Sequence, residues 1–166
     1  MKNDRIQEEF TAMVRRMDGI IAKISVLFAD RTADGIRDLY QDIVCALWHS
    51  YPRFRHSSAE STWVYRVALN TALFHRRRQR YAPMLVSVDN GRLDTLTAEA
   101  CDELVERLYE LIERLPERYR ALAYLYIDGL SLDEMATVLG VPTNTVKQRI
   151  KHMKEKMIKL KEDEEQ

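Results

Sequence analysis

The stretch that decides the fold runs from residue 131 to residue 160 and reads SLDEMATVLGVPTNTVKQRIKHMKEKMIKL. Ser131 and Glu134 form a capping box, because the serine can accept from the third backbone N–H while the glutamate reaches back. Gly140 stands where the chain must turn sharply, since glycine adopts a positive φ at low cost. Pro142 suits the first turn of a following helix. A short helix, a glycine turn and a longer helix predict a helix-turn-helix.

Apolar residues predict which faces of these two helices are buried. In the longer helix they recur at spacings of four, three, four and three, which is the period of one helical face. Ala136 in the shorter helix is small and allows the two helices to cross closely. The predicted buried positions are Leu132, Met135, Ala136, Leu139, Val146, Ile150, Met153, Met157 and Leu160.

The rest of the longer helix carries side chains that reach base edges and phosphates. Arg149 has the donor geometry for guanine and Gln148 that for adenine, whereas Lys147, Lys151 and Lys154 better suit phosphates. A basic face alone also fits a solvated helical hairpin, but its combination with the motif favours DNA binding. The candidate DNA-binding residues are Thr143, Asn144, Thr145, Lys147, Gln148, Arg149, Lys151 and His152.

A second candidate surface lies on a predicted helix from about residue 62 to residue 80. Its aromatic rings can stack on unpaired bases while its cations follow the backbone, which suits melted or single-stranded DNA. Core packing of Trp63 and a solvated, arginine-rich helix end remain open alternatives. The predicted buried stripe is Trp63, Val64, Val67, Ala68, Thr71 and Phe74. The aromatic and polar candidates are Trp63, Tyr65, Arg66, Asn70, His75, Arg76, Arg77, Arg78, Arg80 and Tyr81.

A third polar face combines Asp38, Gln41, Asp42 and Cys45 at helical spacing. Paired carboxylates can serve catalysis or a metal, but one helix face rarely completes such a site. Protein docking and plain solvation are the better interpretations. The four histidines have no metal-ligand spacing, so we predict no catalytic residue, metal site or cofactor.

Helical periodicity covers most of the chain. We predict helices over residues 10–28, from residue 32 or 34 to about Pro52, over 62–80, and again from residue 98. Residues 84–98 lack a period and are interpreted as a linker, with a hairpin at Asn90-Gly91 as the alternative.

Composition narrows the class of protein. A hydrophobic content of 46%, with only five glycines and four prolines, excludes a disordered or low-complexity chain. Two distant cysteines, no secretory apolar core and no long apolar stretch predict a soluble cytoplasmic protein without membrane insertion.

The formal net charge of zero is a cancellation. Residues 1–82 carry 14 basic and nine acidic side chains, a net charge of +5. Residues 83–111 carry two basic and seven acidic side chains. Residues 143–161 carry seven basic side chains and one acidic one. Two basic blocks are therefore masked by an acidic middle and an acidic tail, as expected if each block binds DNA.

The chain resembles the extracytoplasmic-function (ECF) class of bacterial RNA polymerase sigma factors. The resemblance covers about residues 10–160. It is carried by four blocks in order: residues 38–42 with Leu47-Trp48, residues 61–70, residues 115–120, and residues 129–147.

The resemblance implies an all-α chain of two small domains joined by a flexible linker. The region 2 helical bundle would span residues 1–82, the linker 83–98, and the region 4 helix-turn-helix 99–166. Region 2 would bind core RNA polymerase and then recognise and melt the minus-ten element. Region 4 would read the minus-thirty-five element through Thr143, Asn144, Thr145, Lys147, Gln148, Arg149, Lys151 and His152.

The resemblance also assigns residues and partners within region 2. The polymerase would be bound by Asp38, Gln41, Asp42 and Trp48. The loop over residues 54–61 is similar to the one that captures a flipped base. The minus-ten contacts would then be Phe54, Ser57, Ser58, Trp63, Arg66, Asn70, Arg76, Arg77, Arg78 and Arg80. Expected partners are core polymerase, duplex and melted promoter DNA, and a separate anti-sigma factor.

Two other classes compete with an initiation factor. A stand-alone helix-turn-helix regulator explains residues 131–161 but gives Trp63, Asn70 and the arginine run no role. A helical adaptor for another protein makes DNA binding incidental. An enzyme is the least supported class, because no catalytic constellation is present.

Overall fold

The computed structural model describes residues 2–30, 32–55, 57–81 and 102–164, with side chains over 4–30, 32–55, 57–78 and 107–163. Over these residues the protein is all-helical, with no strand. The chain divides into two compact units, Met1–Arg92 and Leu93–Gln166. The linker predicted at residues 83–98, the alternative hairpin within it and Cys101 lie outside the described residues.

The first unit is a bundle of three helices, α1 (Lys2–Phe28), α2 (Ala33–Ser50) and α3 (Glu60–Tyr81). Each helix packs against the other two. A short 3-10 helix over Tyr51–Arg53 follows α2. The apolar stripes of α1 and α2 face inward, as their sequence period predicts. The largest fully buried side chains are Met13, Ile21, Phe28, Leu39, Ile43, Leu47 and Val64.

The start of α2 is held by side-chain caps. Thr32 accepts from the backbone N–H of Gly35 at 2.9 Å, which satisfies one free donor of the first turn. Its hydroxyl donates to the Asp30 carboxylate at 2.7 Å. Because that carboxylate lies against Gly35, a Cβ at this position would collide with it. The predicted start near residue 32 or 34 is confirmed.

The buried stripe predicted for α3 is partly wrong. Val64 and Ala68 are buried as predicted, but Leu69 and Ala72 complete the buried face. Phe74 is 63% exposed, and Trp63, Val67 and Thr71 are only half-buried. The helix approaches α1 and α2 through small alanines, which carry little weight in a pattern of large apolar residues. The stripe is therefore rotated around the helix from its predicted position.

The second unit contains α4 (Asp102–Arg114), α5 (Glu117–Ile127), α6 (Leu132–Leu139) and α7 (Thr143–Glu164). Helix α7 packs against each of the other three. The helix-turn-helix is confirmed in α6 and α7, which are joined through Gly140 at φ 65°. Both hydrogen bonds of the Ser131–Glu134 capping box are present.

The predicted apolar faces of the helix-turn-helix also largely hold. In α6, Met135 and Ala136 are buried, with Val138 added to the face, whereas Leu132 and Leu139 are only half-buried. In α7 the first three predicted positions are buried, and Met157 and Leu160 are half-buried because they lie towards the end of the helix. Close crossing at Ala136 is consistent with its burial. The buried members of α7 are Val146, Ile150 and Met153.

A buried polar cluster joins α4 to α5. The Arg120 side chain donates to the carbonyl oxygens of Glu113 at 2.6 Å and Leu115 at 3.2 Å, and it forms an ion pair with the Glu113 carboxylate. The Tyr124 hydroxyl donates to the same carboxylate at 2.9 Å. Burial, followed by the Glu113 charge, raises the pKa of Tyr124. The cluster satisfies carbonyls at the end of α4 and fixes the corner between the helices.

Candidate nucleic-acid interfaces and docking face

An aromatic stack ties the loop before α3 to the start of that helix. The rings of Phe54 and Trp63 have centroids 4.6 Å apart and planes inclined by 25°. Both side chains are half-buried, while Ser57 in the loop between them is exposed and Ser58 is half-buried. The structure thus brings Phe54 and Trp63 together, and Trp63 is neither a core residue nor a freely exposed ring.

The stack belongs to a longer series of aromatic contacts. Trp48 at the end of α2 meets Phe10 edge-on at 4.9 Å, and Phe10 meets Tyr51 at 5.3 Å. Tyr51 lies 6.3 Å from Trp63. Edge-to-face and offset contacts of this kind stabilise the arrangement of rings beyond their buried area. The series connects the end of α2 with the stacked rings at the start of α3.

An ion pair fixes the first turn of α3. The Arg16 guanidinium on α1 contacts both carboxylate oxygens of Glu60 at 3.0 Å. A negative charge at a helix start is also favourable to the helix dipole. Burial raises the pKa of Tyr51 beside this pair, and the charges of Glu9 and Glu60 raise it further. No sequence pattern predicts the Arg16–Glu60 contact, because the partners are 44 residues apart.

The solvent face of α3 carries four of the ten predicted minus-ten residues. Arg66, Asn70, Arg77 and Arg78 are exposed, and Arg76 is half-buried. The side chain of Arg80 lies outside the described residues. This face therefore presents cations and one amide to solvent, starting from the aromatic stack at its N-terminal end.

Phe74 lies on the same solvent face of α3, where sequence reasoning missed it. Positions 63, 66, 70, 74 and 77 follow one another at spacings of three and four, so they share one side of the helix. The apolar pattern had placed Phe74 in the core. Only the packing of α3 against α1 and α2 reveals it as a surface aromatic.

The candidate docking face on α2 is largely exposed. Asp38, Gln41 and Asp42 are all exposed, and Trp48 is 38% exposed although its ring packs on Phe10. The structure therefore brings the four predicted residues to the surface of one helix.

Tyr40, within the same stretch, turns towards α1 instead. Its hydroxyl donates to the Asp18 carboxylate at 2.6 Å. Burial, assisted by the hydrogen bond and charge of Asp18, raises the pKa of Tyr40 to about 12. This contact joins α1 and α2.

The exposed face of α7 carries five of the predicted minus-thirty-five residues, namely Asn144, Lys147, Gln148, Lys151 and His152. The other three, Thr143, Thr145 and Arg149, are half-buried. All eight lie within the first three turns of α7.

Polar side-chain contacts with α6 and α5 help to hold α7. The Thr143 hydroxyl donates to the Asp133 carboxylate on α6 at 2.8 Å, so this threonine is already engaged within the protein. The Lys154 ammonium lies 4.9 Å from the centre of the Tyr126 ring and 3.1 Å from its hydroxyl. Lys154, predicted to contact phosphate, is thus held against α5, where a cation over an aromatic face is favourable.

Within the described side chains no group of three or more His, Cys, Asp or Glu residues could hold a metal ion. In the same part of the chain, no helix combines the length and apolar character needed to span a bilayer. Cys45 is an exposed free thiol.

The two units coincide with two regions of one class of protein, the sigma-70 factors. Residues 9–81 match the family model described as sigma-70 region 2, and residues 105–157 match that of sigma-70 region 4. Region 2 thus falls on the three-helix unit, and region 4 falls on the unit with the helix-turn-helix.

Individual relatives give the subfamily. The RNA polymerase sigma-H factor of Pseudomonas aeruginosa is 31% identical over 132 residues, which is 71% of this chain and 68% of that protein. The ECF RNA polymerase sigma-E factor of Escherichia coli strain K12 is 28% identical over 158 residues, which is 87% of this chain and 82% of that protein. The chain belongs to the ECF sigma factor family, whose members are non-enzymatic transcription initiation factors.

Solved structures share the fold. The structure of CnrH in complex with the cytosolic domain of CnrY matches with a TM-score of 0.67 and 22% identity, over 95% of this chain and 90% of that one. The sigma factor RpoE from Bartonella quintana, in a co-crystal with the anti-sigma factor NepR, matches with a TM-score of 0.66 and 16% identity. The match covers 93% of this chain and 98% of that one.

Proposed function

We propose that this chain binds core RNA polymerase and directs it to promoters by contacting both promoter elements. In this proposal the first domain spans residues 1–82, the linker 83–98 and the second domain 99–166. The protein acts in the cytoplasm, where polymerase and DNA are found.

The solvent face of α3 carries this proposal. Trp63, Arg66, Asn70 and Arg77 lie on one side of α3, with the Phe54–Trp63 stack at its first turn. Aromatic groups hold unpaired bases and cations hold the phosphates. A duplex-only regulator needs no such surface, because duplex DNA keeps its bases stacked.

Helix α7 supplies the upstream contact. Its exposed Asn144, Lys147, Gln148 and Lys151 are polar side chains in the first turns of the second helix of a helix-turn-helix. In such motifs the N-terminal residues of the second helix contact base edges in the major groove. Arg149 and Gln148 are proposed to read bases, and Lys147 and Lys151 to bind phosphates.

The α2 face is proposed to dock on polymerase. Asp38, Gln41 and Asp42 present an acidic, hydrogen-bonding surface, with Trp48 as an apolar anchor at its end. Partly exposed aromatic side chains are common anchors in protein interfaces. An anti-sigma factor is proposed as a second partner, since both solved relatives were captured with a bound protein.

Transcription by a reconstituted polymerase tests the proposal. Core polymerase with and without the purified chain is given a library of promoter sequences, and the transcripts are sequenced. We expect a discrete set of start sites that appears only with the chain. Tight duplex binding by the chain alone without transcription would instead support a stand-alone regulator, and neither activity would support an adaptor.

A further inference from the structure

Phe74 is the most exposed large apolar side chain among the described residues, at 63%. It lies in the interior of α3, the helix proposed to contact melted DNA, and not at a frayed end. An isolated apolar residue on a surface needs no explanation, but a phenyl ring within a helix of cations and aromatic groups does. Its neighbours therefore decide what it can bind.

The charge around Phe74 points to nucleic acid. Arg66 and Asn70 precede it on the same face, and Arg77 and Arg78 follow it. An apolar ring set among exposed guanidinium groups is poorly suited to a basic or neutral protein surface. It suits a ligand that offers flat apolar rings attached to a negatively charged backbone.

Position along the helix separates Phe74 from the first aromatic site. Phe74 follows Trp63 by eleven positions, a rise of about 16 Å along the helix. Bases stacked at about 3.4 Å would place roughly five nucleotides along that distance. Phe74 cannot act on the same base as Phe54 and Trp63, so it defines a second point of contact.

We propose that Phe74 is a base-stacking residue that binds an unpaired base of the promoter several nucleotides from the base near Phe54 and Trp63. The inference rests on the proposed function, because it requires α3 to face melted DNA. Arg77 and Arg78 hold the adjacent phosphates, and the phenyl ring covers one face of the base.

Binding of holoenzyme to a fork-junction probe tests this. The probe has an upstream duplex and a single-stranded non-template segment from a promoter found in the transcription library. We expect Phe74→Ala to weaken binding by between about fivefold and 150-fold, the range for loss of one base–aromatic stack. Phe74→Tyr should retain affinity because it keeps the ring. Phe74→Leu should behave like the alanine variant because it is apolar without a π-face.

An abasic scan locates the base. Each non-template position is replaced in turn by an abasic site, and wild type is compared with Phe74→Ala. At one position the two proteins should bind equally, because the stacking partner is gone. A loss that persists at every abasic position would contradict stacking.

Val26→Ala is the matched control. Val26 is 44% exposed in α1 of the same unit, so its loss removes surface apolar area away from α3. Its variant should bind the fork junction as wild type does, and an equal loss would overturn the inference. So would a leucine variant with wild-type affinity, or a Phe74→Ala defect confined to core polymerase binding, which would mark a protein contact.

Failure of the inference is distinguishable from failure of the proposed function. If wild-type holoenzyme binds the fork junction and transcribes but Phe74→Ala matches it, only the role of Phe74 is refuted. If wild-type chain confers no fork-junction binding and no transcript, the proposed function itself fails.

Discussion

His75 on α3 lies 3.0 Å from a carboxylate oxygen of Asp42 on α2, through its ring Nδ1. Because a carboxylate only accepts, Nδ1 is the donor in this contact. It joins the helix proposed to bind polymerase to the helix proposed to bind melted DNA. A substitution at Asp42 would therefore change the contact between α2 and α3 as well as the docking face. Such a variant cannot test docking alone.

Asp38 gives the cleaner test of docking. It is exposed on α2, so Asp38→Arg should leave the fold intact. We expect at least a tenfold loss of core polymerase affinity, since a reversed charge at an interface brings like charges together. Competition with labelled wild-type chain measures it. Glu8→Arg, at an exposed position of α1, is the control for charge reversal elsewhere on the same unit. Wild-type polymerase affinity of the Asp38→Arg variant would refute the docking role.

Gln148 and Arg149, in the second turn of α7, should differ from their neighbour Lys147 in what they contact. Arg149→Ala and Gln148→Ala are each expected to relax preference at one upstream base pair, costing about 1–3 kcal/mol at that position. Lys147→Ala should weaken all sequences alike and lower the salt slope by about one. Affinity selection on randomised upstream elements measures both. Uniform weakening by Arg149→Ala would instead make it a phosphate contact.

Acid should weaken the capping box. Hydrogen bonds from the Ser131 backbone and then its hydroxyl lower the pKa of Glu134. The charged carboxylate therefore stabilises the folded state fully at pH values above the ordinary glutamate pKa of about 4.3. This stabilisation is lost as the pH falls through the lowered pKa of Glu134 in the folded state. Glu134→Gln should cost a few tenths of a kcal/mol at pH 7 and nothing at the acid end. Unfolding midpoints from pH 7 to pH 3 measure this.

Two further variants serve as controls for the effect of Glu134→Gln on the capping box. Glu162→Gln, on the exposed end of α7, should show no such convergence with wild type. Ser131→Ala should cost about 1 kcal/mol at neutral pH, because it removes the cap itself. A Glu134→Gln difference that does not shrink with acid would contradict the electrostatic explanation.

Loss of Arg120 should destabilise the second unit selectively. Its side chain is 8% exposed and satisfies two carbonyls, so Arg120→Met leaves them and the Glu113 carboxylate without this partner. Because Glu113 is partly exposed, we expect a loss of about 2 kcal/mol, below the range for a fully buried pair. Amide hydrogen exchange of the full chain should show faster opening in α5 and α7, with α1 and α2 unchanged.

Arg118 provides the comparison for Arg120. It is exposed two residues earlier on α5, so Arg118→Met should change exchange in α5 little. Equal effects of the two variants would mean that removal of any arginine from α5, and not the buried cluster, destabilises the unit.

The sequence by itself determined the features that depend on a few consecutive residues. The capping box, the turn at Gly140 and the start of α2 were predicted because they follow from local hydrogen bonds and allowed dihedral angles. Most of the basic face of α7 was predicted for a similar reason, since a helical period assigns each residue a side.

Tertiary structure decided what happens where helices meet. The Asp42–His75 and Thr143–Asp133 contacts join residues on different helices, so no local pattern contains them. Phe74 was placed in the core by its period, yet α3 packs through Ala68 and Ala72 and turns that ring to solvent. A period gives the spacing of a buried face but not its angle, which depends on how closely the neighbouring helices can approach.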